Sequence, residues 1–596
     1  MKAALREHAR KLGIELSYTD ASGIERTASK VALAAAIEAR SRTRVEATQL
    51  IEPVIVAWDT SHPTINVDSM REVEWTLELE DGTSRSGRAT GSFTLDPLPH
   101  GYHTLRVDRD HEALIIAAPM TAHAPRGKSW GIFAPLYAAH TRRSWGTGDL
   151  GDLREYASWI ERYGGNVVAT LPMLAAMGDE PSPYSPATRL FWNELYLDVT
   201  RLPEFRAEDV DEGTLAHLRQ STIVDYAGVL AEKRRVLRRC LERFVPDRPF
   251  ATFASGEAND YAKWRGEDAA LHLYAQFRLS QQMREIANLY LDFPLGVHRN
   301  GYDAHRYAHV FARGVSAGSP PDAFFTKGQN WGFAPFDPDA LRADRYDYFR
   351  KAIRHHVSHA GILRIDHVMG LHRLYWIPDG VDAKDGVYVR YHADELYAIL
   401  TLESQRHHCT IVGEDLGTVP PEVPETMARH GLRRMYVVQY EIKPQKPPLP
   451  SPPAMSVASL NTHDMPTFAA WWRGKDIDDR VAQGLLDEVG AKRERESRER
   501  MRRALERIDP FESLLAFLAE SDAEIVLINL EDLWRELEPQ NVPGVPERSW
   551  RHKFRMGLED ARDDGSIRRI FTNVHAQRAH DLLSIRGPQN EFVKEG

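Results

Sequence analysis

The spacing of apolar and polar residues changes character twice along the chain. Over residues 1–48 it is helical: Leu5, His8 and Leu12 share a face, and a second apolar run covers 31–37 beyond the turn-rich Asp20-Ala21-Ser22-Gly23. From about residue 53 to 118 the period drops to two. Val73, Trp75, Leu77 and Leu79 alternate with polar or acidic neighbours, as on a half-buried strand, and Asp81-Gly82 then marks a hairpin turn. Leu105, Val107 and the run 113–117 continue the theme. The pattern predicts a helical segment at 1–48 and a small antiparallel β-sandwich accessory domain at 49–120.

Residues 118–128 carry Pro119, Pro125 and Gly127 and read as a linker. Beyond it, apolar runs alternate with helical stretches. Strands predicted at 130–137 and 167–173 flank a helix at 148–163, where Asp149 and Asp152 suit the positive end of the helix dipole. Further strand-like runs fall at 361–366, 410–414, 435–440, 456–462 and 524–530, separated by helical stretches such as 393–407 and 424–430. Residues 200–290 read as largely helical and charged. Such a series over about 470 residues predicts an α/β fold, a (β/α)8 TIM barrel with large helical insertions. The barrel would span 128–596, with an inserted helical subdomain at about 200–290.

Composition narrows the classes. The 596 residues are 42% apolar and 27% charged, as in a soluble globular protein, and exceed what one core usually supports. A formal net charge of −10 with both signs spread throughout argues against a nucleic-acid partner. Acidic neighbours make the basic run 233–239 read as a solvated helix face, and the helix at 492–507 likewise. The two cysteines, Cys240 and Cys409, form no disulfide framework and point to a reducing compartment. The N-terminus lacks a signal-peptide core and no nearby apolar run is long enough for a bilayer, so a cytoplasmic protein without a membrane partner is expected. His355, His356 and His359, like His407-His408-Cys409, read as surface residues, because no nearby acid completes a metal-ligand motif.

Three of the apolar runs end in acids. Residues 362–365 lead to Asp366, 410–413 to Glu414 and Asp415, and 457–460 through Asn461-Thr462-His463 to Asp464. Parallel barrel strands all point the same way, so these ends converge on the C-terminal face, where barrel active sites lie. Arg364, two residues before Asp366, shares its face of the strand and can keep the carboxylate ionised. For that segment alone, a structural ion pair and a catalytic acid are both open. Clustered carboxylates with His367 and His463 serve either metal-dependent hydrolysis or glycosidic chemistry. Arg364 already neutralises Asp366, which favours the glycosidic reading with one carboxyl as nucleophile and one as acid/base. Tryptophans in loop-like segments (Trp130, Trp145, Trp192, Trp331 and Trp376) also suit a ligand with flat apolar faces, such as a sugar.

The segments Ser182-Pro-Tyr-Ser-Pro-Ala-Thr-Arg-Leu-Phe-Trp-Asn193, Ala317 to Gly332 (AGSPPDAFFTKGQNWG), Leu363 to Pro378 (LRIDHVMGLHRLYWIP), VGEDLGTVP from Val412, NTHDMPT from Asn461 and PQNVPGVPERSW from Pro539 resemble the 4-α-glucanotransferases, or amylomaltases, of the α-amylase clan. The resemblance covers about residues 130–555, and the first 120 residues resemble the N-terminal extension of the longer bacterial members. It implies that Asp366 is the nucleophile, held by Arg364, and that Glu414 is the general acid/base. Asp464 would bind hydroxyls and stabilise the oxocarbenium-like state with His463 and His367, while Tyr184 would stack beneath the sugar. Asp322, Phe324, Gln329 and Trp331 would lie on a loop covering the glucan. It further implies maltooligosaccharide donors and acceptors and no metal or cofactor. Two departures stand out: Ala323, where many members carry a tyrosine, and Met465-Pro466-Thr467, where many have Asn-Asp-Thr. The competing readings are an α-glucan hydrolase of the same clan and a catalytically silent glucan-binding protein, which the intact acid set disfavours.

Overall fold

The computed structural model describes residues 3–20, 23–41, 50–59, 61–108, 110–125, 127–178, 180–321, 327–505, 510–542 and 545–584. Eight parallel strands form the barrel: β1 (Ser129–Phe133), β2 (Val167–Ala169), β3 (Leu289–Phe293), β4 (Ile362–Ile365), β5 (Thr410–Gly413), β6 (Arg434–Val437), β7 (Ser456–Ser459) and β8 (Ile525–Asn529). Neighbours in sequence are neighbours in the sheet, β8 pairs with β1, and a parallel bridge between Val412 and Arg433 joins β5 to β6 and closes the ring. This is the expected (β/α)8 TIM barrel with large helical insertions.

Side-chain alternation fills the barrel. Val167, Ala169, Tyr290, Ile362, Val412, Val457, Ile525 and Leu527 form one buried cluster inside the ring. Their neighbours of opposite parity, such as Val168, Leu291, Leu363, Ile411, Ala458 and Val526, pack outward in the large core shared with the surrounding helices. Asp292 and Arg364 have the inward parity of Tyr290 and Ile362, one step nearer the strand ends. The apolar interior is therefore capped by charge on the C-terminal face.

Strand β3 is a correction to the sequence reading, which ran 200–290 as helical. Its first two residues fall inside that range, behind five inserted helices: Glu212–Gln220, Tyr226–Arg243, Arg248–Ala254, Glu257–Trp264 and Ala269–Met283. The basic run 233–239 is not purely a solvated face either. Lys233 is 1% exposed and its ammonium donates to the carbonyls of Leu195 and Leu197, docking the longest of these helices on the chain after β2. Trp130 and Trp376 lie buried within strands rather than on loops.

Residues before the barrel form two units. Strands between Val54–Trp58 and His111–Ala118 make five- and two-stranded sheets over a common core of Val73, Leu77, Leu105 and Ile115. Most pairs are antiparallel as expected, but Val54–Trp58 pairs parallel with the last strand. The earlier segment holds helices Ala3–Lys11 and Lys30–Ser41, and between them a short antiparallel pair, Ser17–Thr19 with Glu25–Thr27, that the helical spacing did not predict. Leu12, Ala32, Leu33 and Ala36 pack against Val315, Ala317, Leu374 and Trp376 of a four-stranded sheet that stands beyond β3 and β4. Arg40 fastens this contact through Asp337 at 2.7 Å, with both groups buried. Among the described residues no helix is long and apolar enough to cross a membrane.

Candidate active site

The strand ends bring Asp366, Glu414, Asp464 and Arg364 together on the C-terminal face, along with one acid that the sequence reading passed over. Arg364 Nη1 reaches Asp366 Oδ1 at 2.9 Å and both oxygens of Asp292 at 2.7 and 2.8 Å. Asp292 also accepts the Tyr184 hydroxyl at 2.6 Å. Its signal was present: Leu289-Tyr-Leu-Asp-Phe is another apolar run reaching an acid. Two carboxylates share one guanidinium whose own deprotonation is suppressed, so Arg364 remains a fixed cation. The Asp366 side chain keeps about a fifth of its surface open to the cleft.

Glu414 is positioned by the backbone. His367 takes up left-handed φ/ψ (47°, 62°), strained for a residue with a Cβ, and so aims its N–H at Glu414 Oε2 (3.0 Å). Leu416 N–H donates to Oε1 at 2.8 Å. The turn that follows β4 can lie against the end of β5 because Gly413 has no side chain; a Cβ would stand 2.8 Å from Val368 Cγ2. Burial raises the Glu414 carboxyl to about 7. Arg364 and the two N–H donors pull it down, while the negative Asp366 pushes it further up. Glu414 therefore holds its proton near neutrality.

Asp464 has the opposite electrostatics. Its side chain is 52% exposed, so the raising effect of lost solvent is weak, and the pull of His463 (Nε2 to Oδ2, 3.1 Å), the Asn541 amide (2.8 Å to Oδ1) and Arg364 holds it well below the usual carboxylate range, at about 2. The loop bearing His463 and Asp464 is clamped to the end of β8. Asp532 accepts the Phe468 N–H at 2.6 Å and the Asn461 amide at 3.3 Å, and Asn529 donates to the Asn461 carbonyl at 3.2 Å. His463 is buried in an aromatic wall, stacked on Tyr184 with centroids 5.0 Å apart and near Trp550 at 5.9 Å. Asn541 and Trp550 lie within PQNVPGVPERSW, to which the sequence reading gave no individual roles.

On the other side of Asp366, the His367 ring is lowered to about 4, mainly by burial against the opposing pull of Asp366, and is neutral at pH 7. The edge of Trp331 meets it at 5.2 Å. Gln329 pairs with Ser319 on the four-stranded sheet beyond β3 and β4. Asp322, Phe324 and Ala323 lie outside the described residues. His355, His356 and His359 are not at this site and are not plain surface residues: they surround Trp192, and His356 is 1% exposed. Of the other group, Cys409 is buried while His408 is exposed.

A sequence profile described as 4-alpha-glucanotransferase matches residues 134–289 and 257–559, most of the chain. The chain belongs to the 4-α-glucanotransferase family. A second profile, the MalQ N-terminal beta sandwich domain, matches residues 50–119. The 4-alpha-glucanotransferase of Mycobacterium tuberculosis is 30% identical, with 97% of this chain and 98% of that protein aligned. That of Haemophilus influenzae is 26% identical over 96% and 99%. Among solved structures, amylomaltase from Corynebacterium glutamicum superposes with a TM-score of 0.85 at 24% identity, covering 96% of this chain and 99% of that one. An amylomaltase from Streptococcus agalactiae gives a TM-score of 0.63 over 76% of this chain and 99% of that one, at 18% identity. These two likenesses speak for the fold of the family.

Proposed function

We infer that this chain is a retaining 4-α-glucanotransferase that moves α-1,4-glucan segments between maltodextrins, with Asp366 as nucleophile and Glu414 as acid and base. The observation that carries the reading is the contrast between the two groups: a carboxyl kept protonated near pH 7 beside a carboxylate gripped by an arginine. Attack of Asp366 on the sugar C1 breaks the bond to the departing O4, which takes the Glu414 proton. An acceptor 4-hydroxyl then returns a proton to Glu414 as its oxygen displaces Asp366 from C1, restoring both carboxyls and the α configuration. Asp464, ionised and fixed by His463 and Asn541, binds sugar hydroxyls and offsets the positive charge of the transition state, with His367 assisting. Tyr184 stacks beneath that sugar, and Gln329 and Trp331, with Asp322 and Phe324, cover the chain. The cycle calls on no metal or cofactor.

Water and a glucan hydroxyl compete for the same intermediate, and the cover over Asp366 decides between them by excluding water and seating the acceptor. Two unpaired thiols, Cys240 and Cys409, support a cytoplasmic setting for this chemistry. The test is product analysis from maltotriose. Glucose and oligomers longer than the substrate should appear while total reducing ends stay constant. A steady rise in reducing ends without longer products would make the chain a hydrolase, and binding without turnover would make it a silent glucan binder.

A further inference from the structure

The segment that carries Tyr184 reaches the end of β3 a second time, through a residue the mechanism does not use. Arg189 is 1% exposed, and among the described residues no carboxylate lies within ion-pair distance of its guanidinium. Asp303 accepts the Arg189 backbone N–H at 2.7 Å and the Tyr348 hydroxyl at 2.5 Å, not the guanidinium. The cation is housed by rings instead: its carbon lies 4.9 Å from the Phe293 centroid, 5.2 Å from that of Phe336 and 6.0 Å from that of Tyr348. Aromatic faces recover part of the cost of burying a cation, but the charge has no counterion and Nε has no hydrogen-bond partner among the described residues. An apolar side chain of the same volume would serve packing alone at least as well.

What the guanidinium does hold is a main-chain group. Its Nη2 donates to the Leu295 carbonyl at 2.5 Å, and among the described residues no other group donates to that oxygen. Leu295 lies just past the end of β3, between Pro294 and Gly296. Its own N–H faces Asp366 Oδ2, 3.4 Å away. Two main-chain groups of this strand end therefore meet Asp366: the Phe293 carbonyl accepts its N–H at 3.0 Å, and the Leu295 N–H looks at one carboxylate oxygen. The other oxygen, Oδ1, is taken by Arg364 at 2.9 Å.

Packing around Leu295 is uneven. On one side the chain is crowded, since a Cβ on Gly296 would collide with the Phe333 ring. On the other side Leu295 borders a small apolar cavity of about 40 Å³, whose lining also includes Arg189, Asp366 and His367. Nothing packs against Leu295 across that gap, so the hydrogen bond from Arg189 is what holds it there. Tyr184 and Arg189, on one short segment, thus grip the two ends of the stretch from Asp292 to Leu295.

We propose that Arg189 is a positioning residue for the nucleophile: by holding Leu295 at its carbonyl it keeps the Leu295 N–H on Asp366 Oδ2. With Oδ1 committed to Arg364, Oδ2 is the oxygen that attacks C1, and the Leu295 N–H sets its line of approach. The inference rests on the reading of Asp366 as nucleophile and extends it. Buried as it is, Arg189 does not touch the sugar. Its effect falls on the step in which Oδ2 bonds to C1 and the leaving group departs, and not on how tightly the glucan binds beforehand.

The experiment measures fluoride release from α-maltosyl fluoride by full-length chains carrying Glu414→Gln. In that parent, attack of Asp366 on C1 expels fluoride without a proton donor, and the next step lacks its base, so each folded chain releases about one fluoride in a burst. The amplitude counts folded sites and the rate constant reads the attack. Arg189→Met refills the space among the rings without a donor. It should lower the rate constant by about tenfold, the scale of one lost hydrogen bond, at an unchanged half-saturating concentration of maltosyl fluoride. Arg189→Lys keeps the charge but not the planar fork, so it should fall between, about threefold below the parent, and it carries the comparison alone if the Met variant does not fold. The inference is overturned if either variant keeps the parent rate constant, if Lys is as slow as Met, or if only amplitude or half-saturation changes, as a merely structural role gives. A burst that the Arg189 variants do not slow overturns this inference alone, whereas a parent without a burst overturns it together with the assignment of Asp366.

Discussion

On the proposed mechanism Glu414 sets the pH range in which the chain can work, and the size of the effect follows from its surroundings. Burial and the Asp366 charge raise it from an ordinary 4.5 to about 7 against the pull of Arg364 and two N–H donors. At pH 6 a carboxyl titrating at about 7 is roughly 90% protonated, whereas one at 4.5 is roughly 3% protonated, so the active site holds about thirty times more acid. The expected kcat/KM for maltotriose is flat near pH 6 and falls about tenfold per unit once pH passes about 7.5. Glu414→Gln should lower kcat by about 10²–10⁴-fold and abolish that basic limb. Maltosyl fluoride, whose leaving group needs no proton, should still glycosylate Asp366 in this variant, giving a burst of about one fluoride per chain before the base-requiring step stalls. The same group shapes stability. Its folded pKa lies above the unfolded one, so its contribution is full below about pH 4.5 and is lost as pH rises through about 7, visible as a falling urea midpoint. A limb centred near pH 4.5, a limb that persists in Glu414→Gln, or wild-type turnover by that variant would refute the assignment.

Asp292→Asn removes one partner of a buried ion pair and takes a charged acceptor from Tyr184, so unfolding free energy should drop by about 3–5 kcal/mol, read as a shift of the urea midpoint at unchanged slope. An unchanged midpoint would mean that Asp366 alone satisfies Arg364. Trp331→Ala opens the side of the site beside His367; reducing ends should then accumulate with maltotriose while Glu414 chemistry persists, and an unaltered ratio of transfer to hydrolysis would remove Trp331 from the cover. Arg40→Ala leaves Asp337 buried without its main cation and should cost about 3–5 kcal/mol, measured by thermal and urea unfolding.

The three acids were legible because each ends an apolar run, and one such run is a property of a handful of adjacent residues. Asp292 carries the same signature, yet it adjoins a long charged helical stretch whose composition dominated the reading. The run at 435–440 overshot its strand because Val438–Glu441 turns into a helix at the barrel rim, where the apolar residues continue but the sheet does not. The histidines of 355–359 misled for a different reason. Arg354 and Ser358 beside them are exposed, but His355, His356 and His359 lie on the inner face of the helix, and the ring they cover, Trp192, stands more than a hundred residues earlier. Burial that depends on a distant partner leaves no local trace. The docking of the first helices on the sheet beyond β3 and β4 was hidden in the same way, since an apolar helix face names no partner.

That docking bears on the one choice the acids do not make. On the proposed mechanism Asp366, Glu414 and Asp464 serve water and a glucan acceptor alike, so partition between them would rest with whatever holds Gln329 and Trp331 beside the site. Gln329 belongs to an edge strand of only two residues, Gln329–Asn330, paired with Val315–Ser319. A strand that short has little stability of its own and takes its position from its neighbours. The neighbours are braced from behind: Val315, Ala317, Leu374 and Trp376 are covered by Leu12, Ala32, Leu33 and Ala36, and Arg40 ties the covering helix to Asp337. On that reading the N-terminal segment would act on the reaction through the sheet that carries Gln329. In consequence Arg40→Ala should do more than lower stability. Under conditions where the variant is still folded, loosening this brace should shift products of maltotriose toward hydrolysis in the same direction as Trp331→Ala, and a purely structural loss would lower the folded fraction while leaving the product ratio as it was.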